Sequence, residues 1–279
     1  MAEVPYRLHP SESTRHFIRQ VETSVPYDLK LELVPVEKLP NRSDVRYEEP
    51  RRVYVGTGDD TGTYFSPYPD TPPYAFVSRA LAGRGVLRCE YLPGKEEYMD
   101  YARNLIMLMD IEATLLDLGA LILHASLVRW EGRGIVFSAP SGTGKSTQAE
   151  LWEHFAGAEI LNGDRAAIRE KDGIWKGYGL PYAGTSGIYR NESAPLTAIV
   201  ALRQAKENRI RRIYGAEAFR YLYPETMIHR WDPDFERRAA DLLLKVISDT
   251  PVFLLECLPD REAVGILKAE MQTLLDEDT

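Results

Sequence analysis

Along this chain the apolar positions change rhythm several times, and each rhythm predicts an element. "LILHASLVRW" (121–130) and "GIVFSAP" (134–140) are nearly unbroken apolar runs joined by the turn "EGRG". Runs of that length and composition predict neighbouring strands buried on both faces. "AEILNGDRAAIRE" (158–170) predicts a strand that delivers an acid, Asp164, and "LTAIVALRQ", "NRIRRIYG" and "PVFLLECL" predict further strands. Apolar residues spaced by three and four predict helices over "AEAFRYLY", "DFERRAADLLLKVI" and "REAVGILKAEMQTLLDE". Tyr98, Tyr101, Leu105, Leu108, Ile111, Leu115 and Leu118 keep the same spacing, which predicts one long packing helix over 97–118 with Gly119 as its stop.

The first hundred residues read differently. Short strand candidates, "LKLELV", "RRVYVGT", "YAFVSR" and "GVLRCEY", are divided by turns rich in glycine and proline, among them "GTGDDTGTYFSPYPDTPP". Asp59 and Asp60 in that stretch, flanked by Gly58, Thr61 and Gly62, read as turn residues rather than a metal pair. The expected architecture is α/β. A mixed sheet with flanking helices is expected over 97–279, and a β-rich N-terminal region, 1–96, is a candidate module for recognising the acceptor.

Composition narrows the function without naming it. The 279 residues are 44% hydrophobic and 27% charged, as in ordinary globular chains, with a net charge of −8. That balance argues against nucleic acid as the main partner, because neutralising phosphates takes a clustered basic face. Cys89 and Cys257 stand far apart in apolar runs, which excludes a disulfide framework and predicts buried thiols in a reducing compartment. "MAEVPYRLHPSESTRHF" lacks the apolar core of a signal peptide, and runs such as "ALILHASLV" are too short to span a bilayer. The expectation is a cytoplasmic protein with no membrane partner.

Chemistry enters with "IVFSAPSGTGKSTQAELWEH" (135–154): a strand, a run of small residues with one lysine, then a helix. Small residues let the backbone wrap a phosphate with its N–H groups inward, and the helix turns its positive end to the same anion. Pro140, Ser141, Gly142, Thr143, Gly144, Lys145, Ser146 and Thr147 fit the P-loop pattern, with Ala139 in place of its first glycine. Lys145 would reach the β- and γ-phosphates, and the Ser146 hydroxyl would ligate Mg²⁺. Asp164, ending a strand soon after that helix, is the acid expected to complete the metal site. Arg165 stands directly after it and could meet the transferring phosphoryl group or lie on the surface. Arg190 and Asn191, in a glycine-containing loop, are candidates to contact acceptor or phosphate. "NRIRRIYG" reads as a half-solvated face, and His154 as facing solvent or a neighbouring helix.

The stretch from "LHASLVRW" through the P-loop to "AEILNGDRAAI", with "SAPLTAIVAL" after "PYAGTSGIYRN", resembles the catalytic core of HPr kinase/phosphorylase, whose fold is related to phosphoenolpyruvate carboxykinase. The resemblance spans roughly 121–258 and does not extend to the first hundred residues. It implies a kinase that uses ATP and Mg²⁺ to phosphorylate a serine hydroxyl on a protein. His124 takes the place of the family's strand histidine, which makes it the leading candidate for base or acceptor orientation. The family's two acids fall on Gly163 and Asp164, so the acid that acts as base is missing here, which puts the reverse phosphorylase reaction in doubt. The helix that binds HPr is not recognisable. The chain looks more like the divergent kinases that phosphorylate a serine of lasso-peptide precursors. The implied partner is therefore a peptide or small protein carrying serine. A homo-oligomer would fit the family, though no assembling surface is recognisable. Two alternatives stay open: a small-molecule alcohol kinase, and a nucleotide-binding regulator without catalysis.

Overall fold

The structure is a computed structural model that describes residues 30–57, 60–78, 86–99, 102–182, 184 and 186–277. It is α/β with two mixed sheets, and the chain divides into two compact units. Among the described residues, one comprises those from Glu112 to Ile228 and from Asp234 onward; the other comprises those from Lys30 to Ile111 together with His229–Pro233. The division falls at Ile111, not at residue 97, and a five-residue segment from far along the chain returns to the first unit.

That N-terminal unit holds a six-stranded sheet in the order β1-β6-β5-β4-β3-β2. Its strands are β1 (Lys30–Pro35), β2 (Val45–Glu49), β3 (Arg52–Thr57), β4 (Asp60–Phe65), β5 (Ala75–Ser78) and β6 (Val86–Tyr91). All neighbours are antiparallel except β1 and β6. The β-rich expectation holds, with two strands, β2 and β4, that the sequence pattern did not separate from turns. Asp60 opens β4 and is exposed, paired with Arg42 Nη1 at 3.0 Å; Asp59 lies outside the described residues.

The single helix expected over 97–118 is a 3₁₀ turn (Glu96–Tyr98) followed by two short helices, α1 (Ala102–Leu108) and α2 (Ile111–Asp117). The break is at Asp110, whose φ of 48° lies in the left-handed region that aspartate tolerates better than most residues. Its carboxylate Oδ1 lies 2.9 Å from His229 Nε2, and both side chains are buried. A contact 119 residues away in sequence thus accompanies the break that local periodicity hides. Gly119, with φ 71°, ends α2 as expected. Leu108 and Met109 pack into the core of this unit with Phe65, Tyr74, Leu87 and Cys89.

The second unit is built on an eight-stranded sheet: β7 (Ala120–Trp130), β8 (Arg133–Ser138), β9 (Glu159–Asn162), β10 (Arg165–Lys171), β11 (Ile174–Gly179), β12 (Ser193–Gln204), β13 (Arg209–Ile213) and β14 (Val252–Cys257). The order is β11-β10-β7-β8-β12-β14-β13, with β9 on β7 and a further pairing of β11 with β12. β8, β12 and β14 are mutually parallel, while β7 runs antiparallel to β8. Tight hairpins join two of the antiparallel pairs, β7–β8 and β10–β11: Glu131-Gly132 and Asp172-Gly173 have φ of 50°, 77°, 54° and 75°. Two successive left-handed residues match the twist of adjoining strands.

Alternation along the central strands sorts side chains into two cores. Val136, Ile199, Ala201 and Leu254 face one layer, and Ile135, Phe137, Val200 and Phe253 the other. Helices α4 (Gly215–Leu222) and α5 (Pro233–Asp249) cover the first layer, and α3 (Lys145–Ala156) and α6 (Arg261–Glu277) cover the second. Both cysteines are buried free thiols, as the sequence predicts. Among the described residues no helix is long and apolar enough to cross a membrane.

Candidate active site

The loop from Ala139 to Gly144 leaves the C-terminal end of β8 and enters α3. Gly142 and Gly144 have φ of 79° and 113°, yet a Cβ at either would meet nothing within 4 Å. Backbone conformation, not crowding, is what demands glycine there. Lys145 is only 6% exposed and folds back over the loop, donating from Nζ to the carbonyls of Ala139 at 2.8 Å and Pro140 at 3.3 Å. Burial lowers its pKa, while the Glu225 and Asp164 carboxylates pull the other way.

A second turn, between β9 and β10, faces this loop. Ser146 Oγ and Ser126 Oγ both donate to the Gly163 carbonyl, at 3.3 and 3.0 Å. Buried Asn162 locks the turn: its Oδ1 accepts the N–H groups of Asp164 and Arg165, each at 2.9 Å. Its Nδ2 donates to the carbonyls of Leu180 and Tyr182. Every polar group of that amide is used, so the turn carrying Asp164 is rigid. Gly184 lets its loop approach the acid closely, since a Cβ there would lie 2.9 Å from Asp164 Oδ1.

His124 lies beside Arg165 in the β7–β10 ladder, one residue before the Ala125–Ser138 pair that ends at the loop. Its Nε2 is 3.5 Å from Asp164 Oδ1, and its Nδ1 is 2.9 Å from Glu225 Oε2. The Asp164 and Glu225 carboxylates hold the imidazole above its usual range, against burial and the cations of Lys145 and Arg165. Arg165 extends to Met227 Sδ at 3.1 Å, with Nε 3.6 Å from Asp164 Oδ2.

Glu225 is the member that sequence reading missed. It ends a 3₁₀ turn (Tyr223–Glu225) after α4, in the unremarkable stretch "YLYPETM". Tertiary contacts deliver it: Thr226 bridges Leu123, and the Met227 N–H donates to the Ile122 carbonyl at 2.9 Å. No residue spacing in the sequence signals a partnership across 101 positions.

Other candidates stand elsewhere. Arg190 pairs with Glu159 at 2.9 Å and donates to the Ile160 carbonyl, in a network with Arg129 and Glu192 at the β9 edge. Asn191 beside it is exposed. His154 is exposed on α3, its ring edge-on to Phe155, and the basic run forms strand β13 with Arg211 paired to Glu217.

Gly163 also has a structural reason. A Cβ there would fall 2.0 Å from Ser186 Oγ and 2.7 Å from Ser186 Cβ. A side chain at this position cannot be accommodated without moving Ser186. Gly163→Asp is expected to destabilise the protein by about 1–3 kcal/mol in urea unfolding, the usual cost of overpacking. An unchanged midpoint would mean that the Ser186 turn yields freely.

The oxygen-rich pair of Ser146 hydroxyl and Asp164 carboxylate, both attached to the Gly163 turn, suits a hard divalent cation such as Mg²⁺. No family model matches this chain, and no curated protein matches it. Among solved structures, the Hpr(Ser) kinase/phosphatase from Coxiella burnetii matches with a TM-score of 0.34 and 11% identity, covering 56% of this chain and 92% of that one.

Proposed function

We propose that this chain is an ATP- and Mg²⁺-dependent kinase that transfers the γ-phosphate to a serine hydroxyl of a peptide or small protein. The observation that carries the reading is the convergence of Lys145, Asp164, His124 and Glu225 at the mouth of a glycine-bearing strand–loop–helix turn. The loop N–H groups and Lys145 hold the phosphates, and Ser146 with Asp164 would hold Mg²⁺. The ion neutralises phosphate charge when bound.

Glu225 accepts the Nδ1–H of His124, which leaves Nε2 directed toward Asp164 and the reacting centre. In the transfer step the serine oxygen bonds to the γ-phosphorus. The bond from that phosphorus to the β–γ bridging oxygen breaks with its electrons remaining on ADP. The serine proton passes to His124 Nε2, and Glu225 stabilises the imidazolium that forms. Such a histidine does the work of the acid absent at Gly163, because a loose phosphoryl transition state depends more on positioning and charge than on a strong base.

The test is transfer of labelled γ-phosphate from ATP into serine peptides and small alcohols, beside Lys145→Ala. Label in peptide, lost in the variant, supports the reading. Label in small alcohols alone would move the activity to metabolites. Tight nucleotide binding with no transfer to any acceptor would favour a regulator.

A further inference from the structure

A cavity of about 600 Å³ opens beside the loop between β8 and α3. Loop residues Pro140 to Thr143 and the end of β12 form part of its wall, and Arg220, Tyr221, Pro224 and Glu225 complete it. Its size falls within the roughly 300–1,000 Å³ of ligand sites. Glu225 ties this space to the reacting centre, because its Oε2 lies 2.9 Å from His124 Nδ1. With the γ-phosphate on the loop, a serine that meets His124 brings its neighbouring residues along this wall.

The charges there run against those of the whole chain, which carries 42 acidic and 34 basic residues. The charged side chains lining the cavity are Arg203, Arg220 and Glu225. Glu225 is 9% exposed and committed to His124, whereas the side chains of Arg203 and Arg220 are 62% and 74% exposed. What an incoming chain meets is therefore cationic.

Local carboxylates leave much of that charge available. Arg203 Nε is 3.4 Å from Glu256 Oε1, at an exposed position where such pairs are weak. Arg220 Nη2 comes no closer than 3.9 Å to Glu217 Oε1, a carboxylate that Arg211 already holds at 2.6 Å. A guanidinium in that position can take a second carboxylate on its planar fork of N–H donors.

We propose that Arg203 and Arg220 select an acidic acceptor, a peptide in which aspartate or glutamate stands close to the serine that receives the phosphate. This acceptor class presupposes the phosphoryl transfer proposed above, and the test separates the two. Transfer from ATP with Mg²⁺ is measured for serine peptides of one length whose flanking residues are glutamate, glutamine or lysine. Small alcohols are run beside them, and low and high salt are compared. The proteins are the full chain and the double variant Arg203→Glu/Arg220→Glu.

Exposed ion pairs contribute up to about fivefold each, so glutamate peptides should exceed lysine peptides at least about tenfold in kcat/KM at low salt. The difference should lie in the peptide KM and shrink as salt screens it. The double variant should invert the order, with lysine peptides leading, an outcome that also reports a folded enzyme. Should that variant fail to fold, the order and salt dependence on the full chain decide alone. Equal transfer to all peptides, or a glutamate preference that survives charge reversal, overturns the acidic acceptor and leaves the kinase standing. A variant that raises the KM for ATP without altering the peptide order would assign the arginines to the nucleotide and overturn it too. If neither peptides nor alcohols are labelled, the transfer reading fails and the acceptor class falls with it.

Discussion

Asp164→Asn should lower phosphoryl transfer by on the order of 10³-fold, about 4 kcal/mol of transition-state stabilisation, while nucleotide binding falls far less. The substitution keeps the shape of the side chain and its place in the turn. The Asn162 amide contacts to the backbone N–H groups of Asp164 and Arg165 do not involve the carboxylate, so the fold should be retained. What is lost is the anionic oxygen 3.5 Å from His124 Nε2, the first of the two carboxylates facing that imidazole. Single-turnover transfer and nucleotide titration, run side by side, read the split. Equal losses in binding and turnover would mean that Asp164 merely anchors the nucleotide. No loss in either would remove it from the site.

The second large effect is a coupling. His124→Ala should cost about 10²–10⁴-fold in transfer, the range for a positioned proton acceptor. Glu225→Gln should cost about 10–100-fold, as partners that orient a working histidine do. In the His124→Ala background, Glu225→Gln should cost almost nothing, because its contribution passes through the imidazole. Full additivity would instead make Glu225 an independent participant, and a drop in thermal stability without coupling would make it a structural acid.

The pH profile gives a second reading with a definite sign. Both carboxylates favour imidazolium, so His124 becomes available as a base only above its ordinary range, and the rate falls as pH falls through that raised value. Removing the Glu225 charge weakens the preference for imidazolium. The acidic limb of the profile should therefore move to lower pH in Glu225→Gln, even as the maximum rate declines.

Much of the second unit could be read from local pattern. The apolar runs that became β7, β8, β12 and β14 are legible because strands covered on both faces need unbroken apolar sequence. The terminal helix, "REAVGILKAEMQTLLDE", matches α6 residue for residue. β11 escaped notice although Asp172-Gly173 marks a hairpin, because "IWKGYG" is short and two of its six residues are glycine. β4 was hidden for a similar reason, lying inside a stretch whose glycines and prolines read as turn.

By itself the sequence determined what is local: a glycine-bearing strand–loop–helix around Lys145 and Ser146, and an acid, Asp164, in the turn just past the next strand. These are legible because backbone conformation and short-range order impose them on consecutive residues. Only the tertiary structure decided the rest. It broke the expected helix at Asp110, set Arg190 on a surface network and filled the space beside Gly163 with Ser186. It also brought Glu225 to His124 across 101 positions. The reason is physical: a hydrogen bond between strand and distant turn depends on how whole elements pack, and packing leaves no periodic trace in the chain.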